Sequence, residues 1–149
     1  MERTLIIIKP DALQRNLVGE IIQRFEKKGL KIVGMKMAML DDLKLDEHYI
    51  HHKDKPFFAD LKDYMKISPV ILLVLEGEKV VEAVRIIVGS TKGVEADAGT
   101  IRGDLSMTNR NLVHASDTLK TAEQEIARFF DDNELFGYKK IDGDMVFKD

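Results

Sequence analysis

The segment Asn111-Leu112-Val113-His114-Ala115-Ser116-Asp117 carries an imidazole at the end of a short apolar run, directly before small and helix-capping residues. This pattern reads as a buried strand that turns into a helix. It holds His114 on a rigid scaffold, where a ring nitrogen could act as nucleophile or base. The alternative is a core histidine satisfied by a backbone carbonyl. Three cations bear on the choice. Lys9 ends an apolar run and precedes Pro10-Asp11 at a helix start, where a cation beside free helix amides favours phosphate. A lysine at a strand end can equally point into water. Arg102 follows Gly99-Thr100-Ile101, and its guanidinium could grip a phosphate with two parallel bonds or form a loop salt bridge. Arg85 lies at the edge of an apolar helical stripe, and taken alone it is a solvated flank residue.

Other patterns carry less. Gly89-Ser90-Thr91-Lys92-Gly93 lacks the spacing of a phosphate-binding loop and follows a helix rather than a strand. Arg102-Gly103-Asp104 is a common tripeptide. His48, His51 and His52 have metal-like helical spacing, but no carboxylate or cysteine completes a set, so they read as a solvated helix face with no protein-held metal.

The elements that must position these residues follow from periodicity. Leu5–Ile8 is a two-sided buried strand. Pro10 suits a first helical position. Val18, Ile21, Ile22 and Phe25 recur at helical spacing up to Gly29. Residues 31–40 alternate and predict a half-buried strand with Val33, Met35, Met37 and Met39 on one face. Residues 42–66 predict two short helices, Val70–Leu75 a second buried strand, and Val80, Val81, Val84, Ile87 and Val88 an amphipathic helix. Residues 89–110 are aperiodic and predict a long functional loop. After His114, a helix presents Leu119, Ala122, Ile126 and Phe129 on its inner face. This order predicts one domain, 1–149, of the α+β class. Its ferredoxin-like split βαβ arrangement has a four-stranded antiparallel sheet with helices on one side.

Bulk properties narrow the function. The 149 residues allow one core. The absence of cysteine excludes disulfides, thiolate zinc sites and thiol catalysis, and fits a reducing, cytoplasmic setting. The apolar run after Met1-Glu2-Arg3 is too short to span a membrane, and no cleavable signal pattern follows it. A net charge of −3 argues against a nucleic-acid partner, so any anion site must be built from local cations.

Taken together, the motifs resemble nucleoside diphosphate kinase. The resemblance runs from Leu5 to about Phe147. It is carried by Lys9-Pro10-Asp11, Leu17-Val18-Gly19-Glu20-Ile21-Ile22, His48-Tyr49-Ile50, Asp54-Lys55-Pro56-Phe57-Phe58, Gly99-Thr100-Ile101-Arg102-Gly103-Asp104 and, most specifically, Asn111 to Asp117. It implies that His114 takes the γ-phosphoryl group of a nucleoside triphosphate and hands it to a nucleoside diphosphate, by a ping-pong route with broad base tolerance. Lys9, Tyr49, Arg85, Thr91, Arg102 and Asn111 match positions that hold phosphates or ribose. Phe57 matches the residue that stacks on the base. Ser116 and Glu125 match the groups behind the histidine. The resemblance also implies Mg²⁺ bound through the nucleotide phosphates and a homo-oligomer, a hexamer rather than a tetramer. The opposing reading is a regulatory protein that carries phosphohistidine without nucleotide turnover.

Two departures from the family pattern stand out. The segment between Arg102 and Asn111 is one residue shorter, which leaves open whether Thr108 or Asn109 forms the second wall of the base slot. Gly93 and Ala98 occupy positions where the family often has proline.

Overall fold

Four strands form one antiparallel sheet in the computed structural model, which describes residues 1–149. Its order is β2 (Lys31–Ala38), β3 (Val70–Gly77), β1 (Glu2–Ile8), β4 (Val113–Ala115). β1 lies inside the sheet. It pairs with β3 from Glu2↔Gly77 to Ile8↔Ile71 and with β4 through Ile6↔Ala115, Ile7↔His114 and Ile8↔Val113. The helices are α1 (Pro10–Gln14), α2 (Val18–Lys27), α3 (Asp42–His48), α4 (Phe58–Met65), α5 (Val80–Val88), α6 (Ile101–Leu105), α7 (Leu119–Phe129) and α8 (Gly143–Phe147). This is the ferredoxin-like α+β fold expected from the order of elements.

The helices cover both faces of the sheet, not one. Alternate β1 residues point opposite ways. Ile6 and Ile8 join Leu73, Leu75, Ile21 and Phe25 of α2, and Val80 and Val84 of α5. Leu5 and Ile7 join Leu72, Val74, Leu45 of α3, Met65 of α4 and Phe129 of α7. Each fully buried aliphatic side chain contributes about 1.5–3 kcal/mol. The two clusters together hold β1, and therefore Lys9 at its end, in a fixed place.

Two further expectations need correction. The β2 methionines do not face the core: Met35, Met37 and Met39 are exposed, whereas Val33 is buried. A β-bulge between Ile32 and Gly34 inserts an extra residue and shifts the alternation onto the other face. The segment 89–110 is not a featureless loop. It contains a 3-10 turn at Gly93–Glu95 and the helix α6, whose first turn is capped by Thr100 Oγ1 accepting from the Gly103 amide at 2.9 Å.

Candidate active site

His114 sits in the middle of β4, paired to Ile7, so backbone pairing fixes its position relative to β1. Its Nε2 lies 2.8 and 3.0 Å from the two carboxylate oxygens of Glu125 on α7. An ionised carboxylate only accepts, so Nε2 carries the proton and Nδ1 keeps a bare lone pair. Glu125 is held in turn by Ser116, whose hydroxyl donates to Oε1 at 2.6 Å and accepts from the Leu5 amide at 3.3 Å. Burial raises the Glu125 pKa, but the bonds from His114 and Ser116 outweigh it and hold the carboxyl below its ordinary range.

The cations stand beside this pair. Lys9 follows β1 as the extended residue before α1, is buried, and donates to Asn111 Oδ1 at 2.9 Å. Burial first, then the charge of Arg102, lower its ammonium to about 8. Asn111 passes the link on, donating from Nδ2 to the Thr91 carbonyl at 2.8 Å. Arg102, on α6, donates to three carbonyls: Val113 at 2.6 Å, Gly89 at 3.1 Å and Asn111 at 3.3 Å. Burial, then Arg85, bring its guanidinium down to about 10, still charged at neutral pH. Arg102 thus fastens α6 to the backbone just before His114 and to the end of α5. Two of its five N–H groups remain for a ligand. Arg85 is exposed at the end of α5 and pairs with Asp117 at 2.6 Å.

The base-stacking candidate belongs to an aromatic row. Phe57 is half exposed, its ring edge-on to His52 at 5.2 Å, and His52 stacks on Tyr49 at 6.2 Å. Tyr49 is buried, and its hydroxyl has no partner within the protein. Thr108 and Asn109 both lie on the exposed turn before Asn111.

His48 departs from the sequence reading. It is not on a solvated face but almost fully buried. Its ring meets that of His114 edge to face, with centroids 4.7 Å apart. Arg128 donates to its Nδ1 at 2.9 Å, so Nε2 carries the proton. With His114 and Glu125 it forms a group whose nitrogen and carboxylate atoms lie within 4.8 Å of one another. The missed signal was Leu45, three residues earlier. Leu45 and His48 share the buried face of α3.

A β-carbon on Gly93 would lie 2.2 Å from the Ser106 carbonyl oxygen, so backbone of the segment between Arg102 and Asn111 closes this position to any residue but glycine.

An imidazole held at Nε2 by a carboxylate, with cations bound to the two residues Asn111 and Val113 just before it, is the equipment of a phosphotransferase. The family model for nucleoside diphosphate kinase matches residues 2–135. A nucleoside diphosphate kinase of Parabacteroides distasonis is 54% identical over 140 residues, covering 93% of this chain and 92% of the relative. Among solved structures, a halophilic nucleoside diphosphate kinase from Halobacterium salinarum in complex with CDP superimposes with a TM-score of 0.96 at 42% identity, covering 99% of both chains. A transition state mimic of the Borrelia burgdorferi enzyme with bound vanadate and ADP superimposes with a TM-score of 0.90 at 34% identity, covering 97% of this chain and 95% of the other. The chain belongs to the nucleoside diphosphate kinase family. It is an enzyme of nucleotide phosphoryl transfer.

Proposed function

We propose that the enzyme works in two half-reactions through a phosphohistidine on His114. Nδ1 attacks the γ-phosphorus of a nucleoside triphosphate, the bond to the bridging oxygen breaks, and the diphosphate leaves. A β-phosphate oxygen of a second nucleoside diphosphate then attacks the same phosphorus and the N–P bond breaks. The observation that carries this reading is the Glu125 contact, which fixes the tautomer that leaves Nδ1 free. As the ring takes phosphorus it gains positive charge, and the Glu125 carboxylate stabilises that charge. Lys9, Arg85 and Arg102 offset the charge of the phosphates. Asn111, Thr91 and Tyr49 hold phosphate or ribose oxygens, and the buried, unpartnered Tyr49 hydroxyl favours a ligand oxygen there. Phe57 stacks on the base, which every base permits. This supports broad base tolerance.

Mg²⁺ fits as an ion carried by the nucleotide. The carboxylates around His114 are already engaged: Glu125 by His114 and Ser116, Asp117 by Arg85. Magnesium held through phosphate oxygens and water would supply further charge neutralisation. The whole chain, 1–149, would act as one catalytic unit. No helix is long and apolar enough to cross a membrane, and the chemistry suits a cytoplasmic enzyme. Self-association into a hexamer is favoured by the exposed Met35, Met37 and Met39 on the edge strand β2.

The test is a chase. Protein labelled with γ-labelled ATP is isolated and mixed with an unlike nucleoside diphosphate. The label should move into the new triphosphate within the mixing time, and His114→Ala should take up none. A stable phosphoprotein that no diphosphate unloads, or uptake by His114→Ala, would overturn the proposal.

A further inference from the structure

Leu112 is a fully buried, non-glycine residue with φ of +72°, two positions before His114. The Val113 amide donates to the Asn111 carbonyl at 2.8 Å, closing a three-residue turn around it. Such a turn of positive φ is rare and strained, and persists only where its surroundings hold it. Its two free backbone groups are both taken. The Leu112 carbonyl accepts from the Lys9 amide at 2.8 Å, and the Leu112 amide donates to Asp11 Oδ2 at 3.2 Å. The other oxygen of Asp11 accepts from the Tyr64 hydroxyl of α4. Burial, then the bond to Asp11, keep that hydroxyl protonated as a donor. Arg110 covers the Tyr64 ring with its guanidinium 5.1 Å from the centroid.

The turn joins the two halves of the active site. On one side of it is Asn111, which holds the Lys9 ammonium; on the other, β4 leads to His114. A relaxed Leu112 would rotate Asn111 relative to His114 and change the gap between the phosphate anchor and the nucleophile. We infer that Asp11 is a positioning residue for phosphoryl transfer: its carboxylate, braced by Tyr64, holds Leu112 in the strained turn that aligns Lys9 and Asn111 with His114. Asp11 makes no hydrogen bond to His114 or to the lysine ammonium; its charge also favours the protonated Lys9, and Asp11→Asn removes that charge while keeping the alignment.

This inference rests on His114 being the nucleophile, and the test separates the two. In single-turnover transfer from ATP, Asp11→Ala should react about 10–100-fold more slowly, as expected for a misplacement of about an ångström, while its nucleotide Kd stays within threefold of the parent. Asp11→Asn keeps an oxygen for the Leu112 amide and an amide for the Tyr64 oxygen, and should stay within threefold in rate. Tyr64→Phe should fall between them. Phosphoramidate, a small donor that needs only the imidazole, should label His114 equally fast in all four proteins. Should Asp11→Ala fail to fold, Asp11→Ser, too short to reach the amide, takes its place in the comparison. Transfer by Asp11→Ala or Asp11→Ser within threefold of the parent would overturn the inference. So would an Asp11→Asn as slow as either, or phosphoramidate labelling slowed in step with transfer. Failure of the parent to be labelled on His114 by either donor would overturn the proposed function instead.

Discussion

The imidazoles of His48 and His114 meet at a centroid distance of 4.7 Å with their planes inclined by 84°. Two histidines this close cannot both carry charge at low cost. Burial first, then the neighbouring His114, lower His48 to about 3, against the pull of Glu125.

For His48, a pH dependence follows. In the unfolded chain it titrates near the ordinary histidine value of 6.5, in the folded protein near 3. Between these values the unfolded state binds the extra proton, so its contribution to stability is complete above pH 6.5 and is lost as pH falls through that window. His48→Phe should flatten the slope of unfolding free energy between pH 3 and 6.5 by up to about 1.4 kcal/mol per pH unit. Urea titrations at a series of pH values measure it. Parallel curves for parent and variant would count against the assignment.

Lys9 has the opposite signs for stability and activity. Its ammonium titrates near 8 in the folded protein, against 10.5 in the unfolded chain. Over that interval the unfolded chain holds the proton more tightly, so this group's contribution to stability rises with pH. Phosphate binding needs the charge, so kcat/KM should fall as pH rises through about 8. Lys9→Met should be low at every pH and lack this alkaline limb. A limb unchanged in that variant would assign it to another group.

Glu125→Gln should slow single-turnover transfer by about 10–100-fold, the size of effect found for groups that orient a functional histidine. Nucleotide affinity should hardly change, because Glu125 reaches His114 and Ser116 rather than the open face of the ring. An unchanged transfer rate would remove Glu125 from the mechanism.

The two proline-like positions should respond in opposite directions. Ala98 is exposed at the second position of a turn closed by the Thr100 amide on the Asp97 carbonyl at 3.2 Å, with Gly99 following at φ +92°. Proline is favoured there. Ala98→Pro should stabilise by about 0.4–1 kcal/mol. At Gly93, proline would meet the Ser106 backbone and lose the amide bond to Thr108. Gly93→Pro should therefore melt lower. Differential scanning calorimetry tests both, and a reversed order would mean that the loop is differently arranged.

Light scattering at micromolar concentration should give a hexamer mass. Part of the apolar C-terminal segment packs on its own chain: Val146 lies against Gly29, Phe147 against Gly77, and the Phe136 amide donates to the Val33 carbonyl at 2.8 Å. The exposed methionine row of β2 is left as the broader contact surface. A monomer or dimer mass would refute the hexamer.

The elements were legible wherever local pattern decided them. The run Leu5–Ile8, the α2 stripe and the short strand that carries His114 follow from spacing alone, although His114 lies in the middle of that strand and not at its end. The β2 face was not legible, because one extra residue at a bulge inverts all later alternation and no local residue type announces it. α6 was hidden for a different reason. At five residues it is too short for periodicity, and its stability comes from the Thr100 cap and the Arg102 anchors. The histidine and its cations could be named from their positions, but the role of His48 depends on α3 meeting α7, a long-range contact that composition cannot reveal. In the sequence Asp11 reads only as part of a helix start, since its partners lie on α4 and beside β4.

The sheet order has a consequence for synthesis. β1 lies between β3 and β4, so the lysine made almost first waits for partners made late. Lys9 and Asn111 are 102 residues apart in the chain, and Leu5 and Ser116 are 111 apart. A ribosome-bound chain of some hundred residues contains β1, β2 and β3 but neither β4 nor His114. With His114 as the proposed nucleophile, the site is complete only once β4 is paired along β1, so the last strand to be synthesised is also the one that would switch the enzyme on.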